Sequence, residues 1–231
     1  MTIVCIETST SVCSADLCKD GVLSKQCINS EVSNHARLLP LYIEELLAFA
    51  REQHLVIDAV ALSEGPGSYT GLRIGASTAK GLCYGLNIPL IPVPTLEVLC
   101  EAAKQKLSTV HCTPYTLIPL LDARRMEVYT LSEDGKARAV VVENEESLYT
   151  VHPTPYTIYY FGDGAEKCSK IFTKPNWHYL PGIVPEAQYL GVLAESYTVH
   201  RTPYTVHQIA YYEPYYLKEF IAAPSHVKGL S

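Results

Sequence analysis

The chain has 231 residues, of which 48% are hydrophobic, and this balance excludes an intrinsically disordered protein. The formal net charge of −6 disfavours direct, tight binding to a nucleic-acid backbone, so any role with nucleic acid is expected to run through a partner. No apolar run reaches the roughly 18 residues of a membrane span, and no two of the eight cysteines form a Cys-x-x-Cys pair, so we expect a reduced, cytoplasmic protein that does not contact a membrane.

The first hundred residues predict strands that alternate with helices, because short apolar runs give way to stretches with apolar residues three and four positions apart. Asp20 and Gly21 separate two strand-like runs, which is a strong signal for a hairpin turn. Ser33 and Thr95 are the predicted N-caps of the first and third helices. The predicted order is β-β-β-α-β-α-β-α, over residues 2–7, 14–17, 22–28, 33–50, 58–63, 74–84, 88–93 and 95–106.

This order implies a mixed sheet covered by helices, which is an α/β architecture. We predict a first lobe over residues 1–105 and a smaller second lobe over residues 106–231. Residues 215–221 are expected to form either a closing helix or a docked tail. Strands of the second lobe are predicted at 117–121, 127–131, 138–142 and 158–161.

A glycine-rich segment, residues 64–75, lies between the fourth strand and the second helix. Backbone N–H groups at such a turn, together with the dipole of the following helix, favour an anion and so predict a phosphate-binding loop. The glycines equally allow close packing of helix, strand and a partner chain, and spacing alone leaves both interpretations open. No Walker A motif is present. The residues of this candidate nucleotide or phosphate site are Gly65, Gly67, Ser68, Thr70, Gly71, Arg73 and Gly75, joined by Glu7, Thr8 and Ser9 of the first turn.

A charged cluster lies beside the predicted strand at 127–131. Its arginines have the planar fork that suits a phosphate or a partner's carboxylate. A solvated strand end with a surface ion pair, worth roughly 0–1 kcal/mol, is the favoured interpretation. The cluster consists of Asp122, Arg124, Arg125 and Glu127.

Several segments resemble the TsaB family in order and spacing. The most specific is residues 65–75, Gly-Pro-Gly-Ser-Tyr-Thr-Gly-Leu-Arg-Ile-Gly, which is similar to that family's signature loop. The match is dense over residues 1–130 and sparse afterwards. This resemblance implies an actin-like ATPase (ribonuclease H-like) fold with two lobes. The further similar segments are residues 6–9, 35–40, 79–82, 89–96, 121–129 and 214–218.

The resemblance also implies a function and partners. It predicts a non-catalytic scaffold or activator that forms a heterodimer with TsaD, meets TsaE through the complex, and serves tRNA only indirectly in its N6-threonylcarbamoyladenosine modification. No cofactor of its own is expected, although ATP or ADP fits the junction with the partner, and the free chain is a candidate homodimer. Apolar helix faces suit an obligate interface. The predicted interface residues are Leu39, Ile43, Leu46, Leu47, Ala79 and Leu82.

Neither a catalytic residue nor a metal site is predicted. No two histidines are four residues apart, whereas TsaD-type proteins carry a His-x3-His metal pair, and His35 is expected to be a packing or interface residue. Most TsaB proteins would have aspartate where Glu7 stands, and the longer side chain would displace a catalytic carboxylate. Two alternative functions remain: an ATPase or kinase of the actin-like superfamily, and a metal-independent, peptidase-like relative.

Three near-identical octapeptides, T-V-H-x-T-P-Y-T, occupy residues 109–116, 150–157 and 198–205. Their flanks are unrelated, which excludes a solenoid repeat. One interpretation is a histidine–tyrosine ligand motif. We favour a short DNA repeat that was inserted at surface loops, where added length costs little. Deletion of residues 198–205 is then expected to leave partner binding intact.

Overall fold

The chain is represented by a computed structural model that describes residues 1–29, 34–108, 114–144, 146–149, 157–200 and 202–218. The predicted order of elements over the first hundred residues is confirmed. In the first half lie β1 (Thr2–Glu7), β2 (Cys13–Lys19), β3 (Val22–Asn29), α1 (His35–Glu52), β4 (Ala59–Ser63), α2 (Tyr69–Leu86), β5 (Leu90–Val93) and α3 (Thr95–Leu107). The second half contains β6 (Tyr115–Pro119), β7 (Leu121–Asp122), β8 (Glu127–Leu131), β9 (Ala137–Val141), α4 (Glu146–Tyr149), β10 (Thr157–Phe161), α5 (Ala165–Cys168), β11 (Trp177–Tyr179), α6 (Ala187–His200) and α7 (Val206–Ile209).

The first five strands form one sheet in the order β3-β2-β1-β4-β5. β1 pairs antiparallel with β2 and parallel with β4, which in turn pairs parallel with β5. Asp20 and Gly21 both have positive φ angles, of 50° and 73°, so the predicted β2–β3 hairpin turn is confirmed. The carboxyl ends of the parallel strands β1 and β4 therefore lie side by side, and the turns that follow them meet at one edge of the sheet.

Helices cover this sheet on both faces. The apolar stripe of α1 packs with α2 against one face, in a core that includes Leu39, Leu46 and Ala79. α6 packs against the other face through Ala187, Leu190 and Ala194. The range 106–231 is therefore too long as a continuous second lobe, because the chain returns to the first sheet to cover its open apolar face.

Three predicted helix starts differ from the structure. α2 begins at Tyr69 rather than at residue 74, because the Ser68 side chain caps it by accepting a hydrogen bond from the Gly71 N–H. The N-cap of α1 is Asn34, and Ser33 lies outside the described residues. The N-cap of α3 is Pro94, so Thr95 is the first residue of that helix and its hydroxyl makes other bonds.

The second lobe contains two small sheets. β6, β10 and β11 form a parallel sheet in the order β11-β10-β6, and β7, β8 and β9 form an antiparallel one. Leu96 and Leu99 of α3 pack against Leu121 and Phe161, so α3 provides apolar contact between the lobes. No helix of the described segments is long and apolar enough to span a bilayer.

The octapeptides enter regular structure at their carboxyl ends. Tyr115 of the first copy pairs with Thr157 of the second, where β6 and β10 begin, while residues 109–113 and 150–156 lie outside the described residues. The third copy is not a plain loop. It supplies the last turn of α6, then Tyr204 exchanges both backbone hydrogen bonds with Leu90 of β5, and Thr205 caps α7. The prediction that every octapeptide lies in a surface loop is therefore wrong for the third copy.

Candidate interlobe site

A cavity of about 480 Å³ lies between the two lobes. The first lobe contributes the β1–β2 turn and the start of α2, which meet because β1 and β4 are neighbouring parallel strands. The second lobe contributes β7, the turn that follows it, and the turn after β10. Residues 215–218 close one wall. The cavity is lined by Ser9, Thr10, Ser11, Pro66, Gly67, Ser68, Tyr69, Thr70, Leu121, Asp122, Ala123, Arg124, Tyr129, Asp163, Tyr215, Tyr216, Leu217 and Lys218.

The glycines of the signature loop lie against the β1–β2 turn. A Cβ atom on Gly71 would stand 2.0 Å from the Thr8 carbonyl oxygen, and one on Gly67 would stand 2.4 Å from the Ser9 carbonyl oxygen. The opposing atoms belong to the backbone and have little freedom to move. Thr8 adds a hydrogen bond of 2.9 Å from its hydroxyl to the Gly71 carbonyl. The second interpretation of these glycines, close packing of helix and strand, has a definite structural basis here.

Two N–H groups at the start of α2 have acceptors inside the chain. The Ser68 N–H donates to the Ser9 carbonyl at 2.6 Å, and the Gly71 N–H donates to the Ser68 hydroxyl at 3.3 Å. An anion at this helix end would have to compete with those acceptors. Ser9 nevertheless keeps a buried hydroxyl without a hydrogen-bond partner among the described residues, so one polar atom at the cavity wall remains unsatisfied.

Glu7 ends β1 and is fully buried behind the Thr8–Ser9 turn rather than in the cavity wall. One carboxylate oxygen accepts the Ser9 N–H at 2.6 Å, and the other has no partner among the described residues. Burial raises the pKa of this carboxyl, and the nearby polar groups of Ser9 and Ser63 oppose that shift only in part. The side chain thus supports the turn.

Thr95 connects the signature loop to α3. Its hydroxyl accepts the Gly65 N–H at 3.1 Å and lies 2.6 Å from the Ser63 hydroxyl. The Thr95 N–H donates back to the Gly65 carbonyl at 3.0 Å. These bonds fix the start of the loop, where Gly65 adopts a φ of +115° that residues with side chains rarely accept.

Asp122 and Arg124 of the predicted charged cluster line the cavity from the second lobe, whereas Arg125 and Glu127 are not among its lining residues. Lys167 forms an ion pair with Asp122 and donates to the Glu127 carbonyl at 2.7 Å. Asp163 accepts the Asp122 N–H at 2.8 Å. Arg124 and Arg125 have positive φ angles of 71° and 49°, an unusual backbone for such side chains. Arg124 lines the cavity, and its side chain makes no ion pair with another described residue.

No group of three or more histidine, cysteine, aspartate or glutamate side chains with metal-binding geometry exists within the described segments. His35 is buried, and its Nε2 atom lies 3.2 Å from the Val12 carbonyl oxygen, which is a packing arrangement. The seven cysteines whose placement is described are unpaired thiols, six of them buried.

The comparisons with known proteins agree with this geometry. The family described as TsaD: tRNA N6-adenosine threonylcarbamoyltransferase matches residues 24–150, more than half of the chain. The chain belongs to this family. It is similar to the tRNA threonylcarbamoyladenosine biosynthesis protein TsaB of Haemophilus influenzae, with 35% identity over 131 residues, or 56% of this chain and 52% of that protein. In this match the chain spans about half the length of its relative.

Two further likenesses extend over nearly the whole chain. The TsaB protein of Buchnera aphidicola subsp. Baizongia pistaciae is 26% identical over 233 residues, covering 94% of this chain and 98% of that protein. The solved structure of YeaZ from Pseudomonas aeruginosa is 25% identical, with a TM-score of 0.70, and covers 94% of this chain and 99% of that chain. The chain is therefore of the TsaB (YeaZ) type, and its actin-like, ribonuclease H-like fold is confirmed.

Four of the six predicted interface residues of this TsaB-type chain are wrong as direct contacts. Leu39, Ile43, Leu46 and Ala79 are buried in the chain's own core between α1, α2 and the sheet. A helical apolar stripe packs first against its own sheet, and the sequence pattern does not distinguish that use from docking. Leu47 and Leu82 are half-buried at the edge of the core and stay a prediction.

Several residues at the site were missed from the sequence. Thr10, Ser11 and Asp163 line the cavity, and residues 215–218 form its wall as a docked tail rather than a helix. The family-like segment 214–218 was the available signal for the tail. Asp163 had a weaker one, because it lies in a Gly-Asp-Gly turn that directly follows a strand.

Proposed function

We propose that this chain is a non-catalytic partner of TsaD in the N6-threonylcarbamoyladenosine modification of tRNA. The observation that carries the proposal is the combination of a TsaD-family match over residues 24–150 with relatives named TsaB, one of which aligns over 94% of the chain. The chain would therefore share ancestry with the transferase while acting beside it. With a net charge of −6, it would meet tRNA through the complex rather than by itself.

The signature loop supports a structural role over catalysis. The N–H of the N-cap residue Ser68 is taken by the Ser9 carbonyl, and Glu7 is buried with its carboxylate turned to the Ser9 N–H. A catalytic carboxylate has to reach the reacting groups or their metal ion. Here it stabilises the turn against which Gly67 and Gly71 pack.

The docking face that we propose is the exposed side of α1 and α2. Tyr84 is 78% exposed and Leu41 is 54% exposed, which is unusual for large apolar side chains on neighbouring helices. Gly81 and Gly85 lie on the same helix as Tyr84, and a Cβ on either would meet nothing within 4 Å. Glycines one turn apart on an open face let another helix approach closely.

Adding bulk to the open face tests this docking surface. Gly81→Leu and Gly85→Leu have room within the free chain and improve helix propensity, so both variants should fold. We expect them to lose at least tenfold in affinity for TsaD, measured by calorimetry and co-purification. Tyr84→Arg should also weaken binding, while Val141→Arg, at an exposed apolar residue of β9 in the second lobe, should bind normally. Full affinity of both leucine variants would refute the docking face.

A reconstituted tRNA modification assay tests the function itself. TsaD and TsaE with tRNA, ATP and the threonylcarbamoyl donor should depend on this chain, and Gly81→Leu should fail to support the reaction. ATP or ADP would bind at the junction with TsaD, so nucleotide affinity should be measurable only for the complex. ATP turnover by the isolated chain, abolished by a bulky residue at Gly67, would instead favour an actin-like ATPase or kinase.

A further inference from the structure

The segment formed by residues 214–218, named here the C-terminal strap, lies across the cavity between the lobes. Its first half binds the first lobe. The Tyr215 N–H donates to the Glu64 carbonyl at 2.7 Å, directly before the signature loop. The Tyr216 ring packs 5.1 Å from the Tyr69 ring at the start of α2, and its hydroxyl accepts a hydrogen bond of 3.4 Å from Arg73 Nε.

The second half of the strap binds the second lobe. Lys218 forms an ion pair with Glu127, the first residue of β8, and its ammonium lies 5.9 Å from the centre of the Tyr129 ring. Glu127 is partly shielded from solvent, whereas Lys218 is exposed, so this is an ion pair at the surface. Only two residues thus separate the backbone contact of Tyr215 on one lobe from the charged contact of Lys218 on the other.

The signature loop fits the strap at the level of backbone atoms. A Cβ on Gly65 would stand 2.4 Å from the Tyr215 carbonyl oxygen, so any side chain there would displace the strap. Gly65 also has a φ of +115°. Position 65 requires glycine for two reasons: its backbone conformation is unfavourable for residues with side chains, and the strap leaves no room for a Cβ atom.

We propose that the groove between the lobes is a binding site for an extended peptide segment, and that its occupant is this chain's own strap. In this arrangement the strap fixes the lobes relative to each other and closes the cavity wall beside Arg124. The inference rests on intramolecular contacts alone, so it stands or falls independently of any role with TsaD.

Two truncations that differ by five residues test the strap in the otherwise intact chain. The form ending at Lys218 retains the strap, and the form ending at Glu213 removes it. Hydrogen–deuterium exchange of residues 64–70 and 121–129 should match the full chain in the longer form and be at least tenfold faster in the shorter form. Faster exchange in both segments supports the strap. Unchanged exchange in either segment of a folded shorter form overturns it.

A charge swap provides a second test that does not depend on the truncated fold. Lys218→Glu should accelerate exchange in residues 121–129 by at least threefold, because it places two carboxylates together. Combining it with Glu127→Lys should restore the slow exchange. Lys25→Glu is the control, since Lys25 pairs with Glu45 between β3 and α1, inside the first lobe. A double variant that exchanges as fast as Lys218→Glu overturns the crossing ion pair.

Discussion

Asp16 is an acidic residue held inside the first lobe. It is fully buried on β2, where one carboxylate oxygen accepts the Cys27 N–H at 3.1 Å and the other has no partner among the described residues. Burial, with a smaller contribution from the negative charge of Glu186, raises its pKa from 3.8 to about 7. A carboxyl whose folded pKa exceeds its unfolded pKa favours folding at low pH and loses that contribution as pH rises from about 4 to about 7.

Asp16→Asn should therefore remove a pH-dependent loss of stability. The amide keeps an acceptor for the Cys27 N–H and carries no charge. From pH 5 to pH 8 the wild type should lose stability relative to this variant, by up to about 3 kcal/mol on the scale of 1.4 kcal/mol per pKa unit. Urea unfolding at the two pH values measures it. Asp134→Asn is the control, because the pKa of Asp134 is about 2 and its carboxyl group therefore does not titrate between pH 5 and pH 8. Parallel pH profiles for wild type and Asp16→Asn would contradict the prediction.

Two glycines of α2 should respond to alanine with opposite signs. Gly71→Ala places a methyl group 2.0 Å from the Thr8 carbonyl oxygen, so α2 or the turn must shift, at a cost of about 1–3 kcal/mol. Gly81→Ala meets nothing within 4 Å and should stabilise the helix by about 0.5–1 kcal/mol. Denaturant unfolding of the two variants separates the cost of the steric clash at Gly71 from the gain in helix propensity at Gly81. Equal effects of the two changes would refute the account of the loop as a packing device.

The third octapeptide illustrates how context decides the structure of a short sequence. Its first residues continue α6, whose position is fixed by packing on the sheet, and Tyr204 reaches the edge of β5. Tyr204 also packs edge-to-face with Tyr212, whose ring lies 5.4 Å away and is buried. A repeated octapeptide can thus become part of the elements on either side of it, provided that its backbone groups find partners.

Deletion of residues 198–205 should consequently destabilise the chain instead of passing unnoticed. It removes the last turn of α6, two backbone hydrogen bonds to Leu90 and the cap of α7. We expect a loss of several degrees in Tm by calorimetry. Tyr204→Ala should show a part of this loss, about 1 kcal/mol, whereas Tyr211→Ala, at a tyrosine that is 86% exposed, should show none. An unchanged Tm in the deletion variant would contradict this prediction and would show that residues 198–205 are dispensable for stability.

At the scale of the molecule, local sequence patterns predicted the order of the elements but not which surfaces those elements pack against. The β2–β3 hairpin and the first five strands follow from Asp20–Gly21 and from short apolar runs, which are local signals. The apolar stripe of α1 was recognised, but whether Leu46 contacts its own sheet or a partner depends on the tertiary fold. The return of α6 to the first sheet has no local signal at all.

The site was predictable to the same extent. The turn at Thr8–Ser9 and the loop from Gly65 to Gly75 were both singled out, and the structure brings them into contact. The sequence could not reveal that Ser9 would accept the donor at the start of α2, because that depends on separations of a few tenths of an ångström. The tail was left open between helix and docked segment, since its conformation is set by what it binds.

The exposed face of α1 and α2 makes a final prediction about assembly. Tyr84 and Leu41 are exposed on this face, and Gly81 and Gly85 leave room on it. If the face also accepts a second copy of the chain, the free chain should form a weak homodimer through it. The same surface cannot be covered twice, so adding TsaD should replace the homodimer by a one-to-one complex. Sedimentation velocity over a range of concentrations measures both, with Gly85→Leu as a variant that should remain monomeric alone and unbound in the mixture. A complex that contains two copies of this chain joined as before would show that the two interfaces are distinct.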